Sequence, residues 1–317
     1  MDGLDLRILR SMGTDPYPPK PQDPGIFKAS ALAKNVGATP KTVRDRLAKM
    51  ERQGLLRGYQ IVPNHHHFGV AGACYYFRLQ DEAQVEKAIV ALENVDGVLG
   101  MALYLGAVFC IDLTYRNAAD HERKEKLLQA LAGQGTFLRY YEYQTPAPKR
   151  ALTNLDWRII QALRGNALRP LEEVASEVGV SAKTAKRRFD RIMGDGSAFI
   201  QPRVDWGQAT GFIPFVLNFH LKPGSTKEAL APILQAFDER YLFGCVPAAE
   251  QLGNYALQLF AFSVAEIEEL KRTALSLRGV ERVEALIMRG MRGNPDWMAD
   301  AITQKVQQTA KPMVAAV

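Results

Sequence analysis

Cysteine is scarce in this chain: three in 317 residues, Cys74, Cys110 and Cys245, with no CxxC spacing. That excludes a disulfide framework or a zinc knuckle legible in sequence, and it predicts reduced thiols packed singly as small apolar side chains. Long apolar runs are absent too, none approaching the roughly 18 to 20 residues of a membrane span. The start MDGLDLRILRSMG lacks the basic n-region and apolar core of a signal peptide, so the expected place is the cytoplasm, with no membrane partner. There is no G-x-G-x-x-G fingerprint, no P-loop and no spaced Ser-His-Asp order, which leaves no cofactor and no catalytic residue to assign, and the expectation is a protein that is not an enzyme. The run His65, His66, His67 has no cysteine or carboxylate nearby to complete a ligand set; it reads as a solvated linker, and no metal is assigned. His121 and His220 stand isolated.

What is there is a globular composition, 47% apolar and 23% charged, on a chain too long for one ordinary core. It is written twice. VGATPKTVRDRLAKMERQG (36–54) returns as VGVSAKTAKRRFDRIMGDG (178–196), an offset of 142. LDLRILRSM (4–12) returns as LDWRIIQAL (155–163) at 151, and YLGAVFCIDLTY (104–115) as QLGNYALQLFAF (251–262) at 147. Nine residues have therefore entered the first copy, within TDPYPPKPQDPG (14–25), whose five prolines favour an extended surface loop. The join is placed in QTPAPKRALTN (144–154).

Each copy changes rhythm once. Leu4, Ile8, Leu9 and Met12, then Leu32, Ala33 and Val36, then Val43, Leu47 and Met50 mark three short helices, followed by the strand-like LLRGYQIV. Thr39 and Ser181 are natural N-caps, and Gly54 and Gly196 suit left-handed stops. This is the order of a winged helix-turn-helix. The remainder alternates as strand, helix, two strands, helix and strand, the βαββαβ order of a ferredoxin-like sandwich. The expected fold is thus α+β: winged helix-turn-helix 1–64, ferredoxin-like 69–146, winged helix-turn-helix 151–206, ferredoxin-like 211–295, and a C-terminal tail 296–317.

With LDxxIL, the Gly/Thr/Arg pattern and the βαββαβ region in that order, the chain resembles the leucine-responsive/asparagine regulator (Lrp/AsnC) family twice over. Residues 4–62 and 155–204 are similar to its DNA-binding domain, and 69–145 and 211–290 to its effector-binding and assembly domain. The resemblance implies a transcriptional regulator whose partner is double-stranded DNA, fused into a pseudo-dimer open to further self-association. It also implies a small-molecule effector bound between ferredoxin-like domains. The family's glycine with a following aspartate is met only at Gly106 and Gly253; GAVFC and GNYAL lack the acid, which counts against a free amino acid, and a tight turn explains both glycines.

Charge agrees with that implication. Residues 1–68 carry +5 and 151–206 carry +2, whereas 69–150 carry −1 and 207–317 carry 0, so the net +6 belongs to the helix-turn-helix segments. On the third helix, 100° steps turn Lys41, Arg44, Asp45, Lys49 and Arg52 outward; the second copy offers Lys183, Lys186, Arg187 and Arg191, with Asp190 beside them. Thr39, Thr42, Ser181 and Thr184 sit at the helix N-termini, where phosphate is favoured. Arg46 and Arg188, at the edge of the apolar stripe, suit an ion pair or a phosphate rather than a base. Two other readings stand beside this one. Sirohaem decarboxylases resemble the same family and also pair two such units; their Arg-Pro is met by Arg169-Pro170 in the second copy alone, with no matching histidine and arginine cluster. A winged-helix adaptor for the transcription machinery is the other.

Overall fold

A computed structural model describes residues 1–13, 22–132, 135–143, 146–245, 253–293 and 295–310. The chain is a mixed α+β protein with antiparallel sheets. It opens with three helices, α1 (Gly3–Ser11), α2 (Ala29–Val36) and α3 (Pro40–Arg52), and a strand, β1 (Leu56–Pro63). Next come β2 (Ala71–Arg78), α4 (Glu82–Leu92), β3 (Val98–Tyr104), β4 (Val108–Tyr115), α5 (Ala118–Ala132) and β5 (Thr136–Tyr143). Helices α6 (Asn154–Leu163), α7 (Leu171–Val178) and α8 (Ala182–Gly194) precede β6 (Ala198–Val204). Last are β7 (Ile213–Leu221), α9 (Thr226–Phe237), β8 (Tyr241–Cys245), β9 (Asn254–Ala261), α10 (Val264–Ser276), β10 (Val280–Gly293) and α11 (Pro295–Ala310).

Local chemistry starts the helices. Asp2 caps α1 by accepting from the N–H groups of Leu4 and Asp5, while the Asp5 carboxylate accepts from the Asp2 N–H; Thr153 and Asp156 make the same reciprocal box at α6. Thr39 caps α3 and Ser181 caps α8, each accepting from the N–H three residues on. Burial then fixes their faces. Val43 and Met50 on α3, and Ala185, Phe189 and Ile192 on α8, are buried.

A single strand follows each triplet of helices, and the two strands pair with each other. β1 pairs antiparallel with β6, from Leu56 opposite Val204 to Pro63 opposite Ala198, so each of these strands finds its partner 140 or so residues away. Gln22 joins the same junction: its N–H donates to the Met193 carbonyl at 3.2 Å, and its side-chain amide exchanges bonds of 3.1 and 2.7 Å with the Ile200 backbone. Gln22, at the end of the proline-rich insertion, is thereby anchored beside β6; residues 14–21 of the expected surface loop lie outside the described residues.

The other strands follow the order β5-β2-β4-β3-β10-β7-β9-β8. β10 joins the two groups, pairing with β7 through Val280–Ile287 and with β3 through Met288–Gly293. One face, carrying Tyr75, Phe77, Phe109 and Ile111, then Phe215, Leu217, Phe219 and Leu257, lies in the two apolar clusters that α4 and α9 help to build. The opposite face sets Cys74, Tyr76, Val108 and Cys110 in one cluster with Val216, Ala256, Leu286 and Met288. Ion pairs Arg78–Glu284 (2.6 Å), Arg289–Glu82 (2.9 Å) and Arg289–Glu86 (3.1 Å) tie residues of one copy to the other. The sequence offset of 147 holds for the glycine turns but not for the strands after them. Phe109 and Ile111 share their face with Leu257 and Leu259, which requires an even offset, because a one-residue slip sends every side chain to the other face.

Two segments read as loose in sequence are packed. Residues 295–310 of the expected tail form α11 against α6, with Asn154 donating to the Val306 carbonyl at 2.9 Å and Ile302 fully buried. The histidine run is a 3-10 turn, His65–Phe68, with His65 buried and the His67 ring 5.9 Å from that of Trp157. His121 is not isolated either: it bonds the Tyr75 hydroxyl and stacks on Tyr115, and His220 meets the Arg282 guanidinium at 3.0 Å.

Burial pushes the His65 and His67 imidazoles down to about 4, far below the usual 6.5. The folded state holds them neutral, whereas the unfolded chain takes up protons below pH 6.5. Their contribution is therefore complete above that pH and is lost as pH falls toward 4. His65→Leu should lose less stability than wild type between pH 7 and pH 4 in urea unfolding, by on the order of 3 kcal/mol. Equal losses in the two proteins would contradict this.

Candidate nucleic-acid interface

Helices α3 and α8 follow turns that open on a left-handed glycine, Gly37 with φ 68° and Gly179 with φ 71°, the C-caps of α2 and α7. Each N-cap hydroxyl also meets a second hydroxyl at the same helix end, Thr39 to Thr42 at 2.8 Å and Ser181 to Thr184 at 3.0 Å. Past the caps, Lys41, Arg44, Asp45 and Arg52 are exposed and Lys49 is half-buried; Lys183, Lys186, Arg187 and Arg191 are all exposed. Thr39 and Ser181 are exposed, Thr42 and Thr184 half-buried. Each helix therefore presents a mostly basic face on the side away from its buried stripe, beginning at an N-terminus rich in hydroxyl and N–H groups.

The two faces differ. Lys186 and Asp190 form an exposed ion pair at 2.5 Å, which occupies one cation of the second face. The first has alanine at the position of Asp190, and Asp45 where the second has Arg187.

Arg46 and Arg188 do not share this outward placement. The Arg46 guanidinium lies 2.6 Å from Asp2 and 3.2 Å from Asp5, the cap residues of α1, and the Asp5 side chain is fully buried. Arg188 lies 3.5 Å from the buried Asp156, the cap partner of α6. Arg150 lies 2.8 Å from Asp156 and 2.8 Å from Asp195. Burial alone would raise Asp156, but the backbone and hydroxyl bonds from Thr153 and the Arg150 guanidinium hold its carboxyl below the ordinary range. Of the two roles expected for these arginines, each is engaged as an ion pair that locks the third helix of its copy to the first.

Gly106 lies in a backbone turn, and Gly253 has a left-handed backbone just ahead of β9. Gly106 (φ 81°) and Ala107 (φ 56°) link β3 to β4, with the Ala107 N–H donating to Glu82 at 3.1 Å. Gly253 (φ 59°) offers its carbonyl to the Leu221 N–H at 2.6 Å. A third grouping escaped the sequence reading. Cys74 and Cys110, expected as single thiols, have Sγ atoms 2.7 Å apart with Asp112 beside them. Only the β2–β4 register, in which Cys74 is opposite Asp112 and Tyr76 opposite Cys110, brings them together.

Removing the Arg46 side chain should leave the buried Asp5 carboxylate short of its cation. Arg46→Ala is expected to lower stability by about 2 to 3 kcal/mol in denaturant titrations, whereas Arg44→Ala should stay within about 0.5 kcal/mol of wild type. Comparable losses in both variants would contradict the division between anchoring and outward arginines.

Comparison with known proteins bears on this interface directly. Residues 152–193, covering α6, α7 and most of α8, match the AsnC-type helix-turn-helix domain. The regulatory protein AsnC of Haemophilus influenzae is 29% identical over 100 residues, 31% of this chain and 61% of that protein, so the match spans less than two thirds of the relative's length. Over nearly the whole chain the fold is similar to that of the siroheme decarboxylase NirDL. Its co-complex with an iron-uroporphyrin III analogue superposes with a TM-score of 0.54 at 13% identity, covering 98% of this chain and 100% of that one. A second structure of NirDL gives 0.53 at 13% identity, covering 96% and 99%. The chain thus carries an AsnC-type helix-turn-helix and is similar over part of its length to the regulatory protein AsnC.

Proposed function

We propose that the protein is a sequence-specific DNA-binding transcriptional regulator, built as a fused pseudo-dimer in which residues 1–64 and 151–206 are two reading heads and 69–146 and 211–295 two pairing domains. The observation that carries this reading is that the AsnC-type helix-turn-helix at 152–193 and its counterpart at the N-terminus both lay exposed basic side chains along their third helices, in the two segments that hold the chain's positive charge. The N-termini of α3 and α8 would receive backbone phosphates. Lys41, Arg44 and Lys49 in the first head, and Lys183, Lys186, Arg187 and Arg191 in the second, would lie along the major groove, with Arg52 nearer the backbone. Arg or Lys reads guanine, whereas Asp45 accepts from a cytosine amino group or repels a phosphate, so the heads would prefer different bases. Pairing of β1 with β6 joins the heads, which one chain can then place on one duplex.

A small-molecule effector, of unassigned identity, would sit near Gly106, in the β3–β4 turn, and Gly253, whose carbonyl accepts from the Leu221 N–H. The full-length likeness to NirDL favours a second reading, a tetrapyrrole-binding protein. Its sequence counterpart here is thin: Arg169 is held by Glu173 and Glu177 on the surface of α7. An adaptor for the transcription machinery would use the same helices without phosphates. Among the described residues no helix is long and apolar enough to cross a membrane.

Gel shifts on genomic fragments at several salt concentrations test the proposal. Log affinity should fall linearly with log salt, by about 0.9 per neutralised phosphate, and the Arg44→Ala, Lys49→Ala double variant should bind more weakly with a flatter slope. Absence of any shift, together with a new visible absorption band on adding an iron tetrapyrrole, would support the second reading instead.

A further inference from the structure

We propose that Cys74, Cys110 and Asp112 form a binding site for a thiophilic divalent cation of the zinc class, independent of the DNA-binding faces. On adjacent antiparallel strands Cys74 is opposite Asp112, and Cys110 stands two residues before Asp112, so the strand period puts all three on the same face of the sheet. Their ligand atoms lie within 4.8 Å of one another, and the two Sγ atoms are 2.7 Å apart. Both cysteines are buried, at 1% and 4% exposure, while Asp112 is half-buried and gives the trio a solvent-facing side.

Tyr76, Ala102, Val108, Val216 and Met288 share an apolar cluster with the cysteines, while Thr114, Gln258 and the Arg78–Glu284 ion pair bring polar groups to the same face. Packing alone does not call for two thiols and a carboxylate to converge there. Zinc accepts such a mixed set, with sulfur at about 2.3 Å and carboxylate oxygen at about 2.0 to 2.2 Å, which places two bound sulfurs roughly 3.7 Å apart. Small side-chain rotations within the strands supply that separation. Thiolates select against magnesium and calcium, and the carboxylate selects against cuprous ion, which prefers sulfur alone. Three protein ligands leave one position for water.

Binding balances without a redox partner. Two S–H bonds are broken, two metal–sulfur bonds and one metal–oxygen bond form, and two protons leave to solvent. A Cys74–Cys110 disulfide is the competing use of the same contact. It would require an oxidant such as a peroxide or a small disulfide, and attack by a thiolate beside a carboxylate, an arrangement that like charge opposes and a cation relieves.

Cobalt serves as the probe on the full chain, purified under reductant and stripped with a chelator. One cobalt per chain should bind, giving thiolate-to-cobalt charge transfer in the near ultraviolet, and zinc should displace it. Cys74→Ser and Cys110→Ser should abolish the band. Asp112→Asn should weaken binding tenfold or more, and Cys245→Ser should leave it unchanged. X-ray absorption of zinc-loaded wild type should report two sulfur neighbours with oxygen completing the shell, a readout that survives if the serine variants fold poorly. Lack of charge transfer in wild type, its persistence in either serine variant, fewer than two sulfur neighbours, or a Cys74–Cys110 disulfide that resists the reductant would each overturn the proposal.

Discussion

The structure depends on strand edges that the N-terminal half of the chain leaves open and the C-terminal half closes. β1 has its partner in β6, and β3 has its outer neighbour in β10. Unpaired backbone groups along such edges are costly when buried and invite association when exposed. The chain resolves this internally, and the ion pairs from Arg289 to Glu82 and Glu86 run across the same boundary. The third helices are set by this arrangement: α3 and α8 each lead directly into one of the two paired strands.

Within each head the charges divide their labour by burial. Arg46 and Arg188 turn inward to Asp5 and Asp156, the acids of the capping boxes that start α1 and α6. One carboxylate therefore both begins a helix and holds the reading helix against it. On α3 and α8, Lys41, Arg44, Arg52, Lys183, Arg187 and Arg191 are exposed, where a phosphate can replace solvent at little desolvation cost. The fold over nearly the full length is similar to that of a siroheme decarboxylase, and a shared fold does not by itself fix a function. The charged face of the third helix is what separates the readings.

What was legible in sequence was local. Thr39, Ser181, Gly37 and the apolar stripes announce helix starts, stops and faces through interactions within a few residues. The short apolar runs AGACYYFRL and AVFCIDLTY likewise announce strands. Long-range pairing was not legible. LLRGYQIV carries no mark that its partner is AFIQPRV, and RGMRG, with its glycines and arginines, does not read as the end of a fourteen-residue strand, though β10 runs to Gly293. His65 read as solvated because it belongs to no periodic stripe; its burial comes with the 3-10 turn, whose Phe68 ring meets Trp157 of α6 and Trp297 of α11. The Cys74–Cys110 contact needed the register between two strands, and an alignment offset wrong by one residue would have put the second copy's equivalents on the wrong face.

The central claim is that one chain brings two different heads to one duplex. Selection of bound DNA from a random pool, using the purified full-length chain, tests it most directly. The account predicts a consensus of two non-identical half-sites with centres about 10 base pairs or a multiple apart, bound by a single chain. Failure to enrich any sequence, or enrichment of a perfect palindrome, would contradict it.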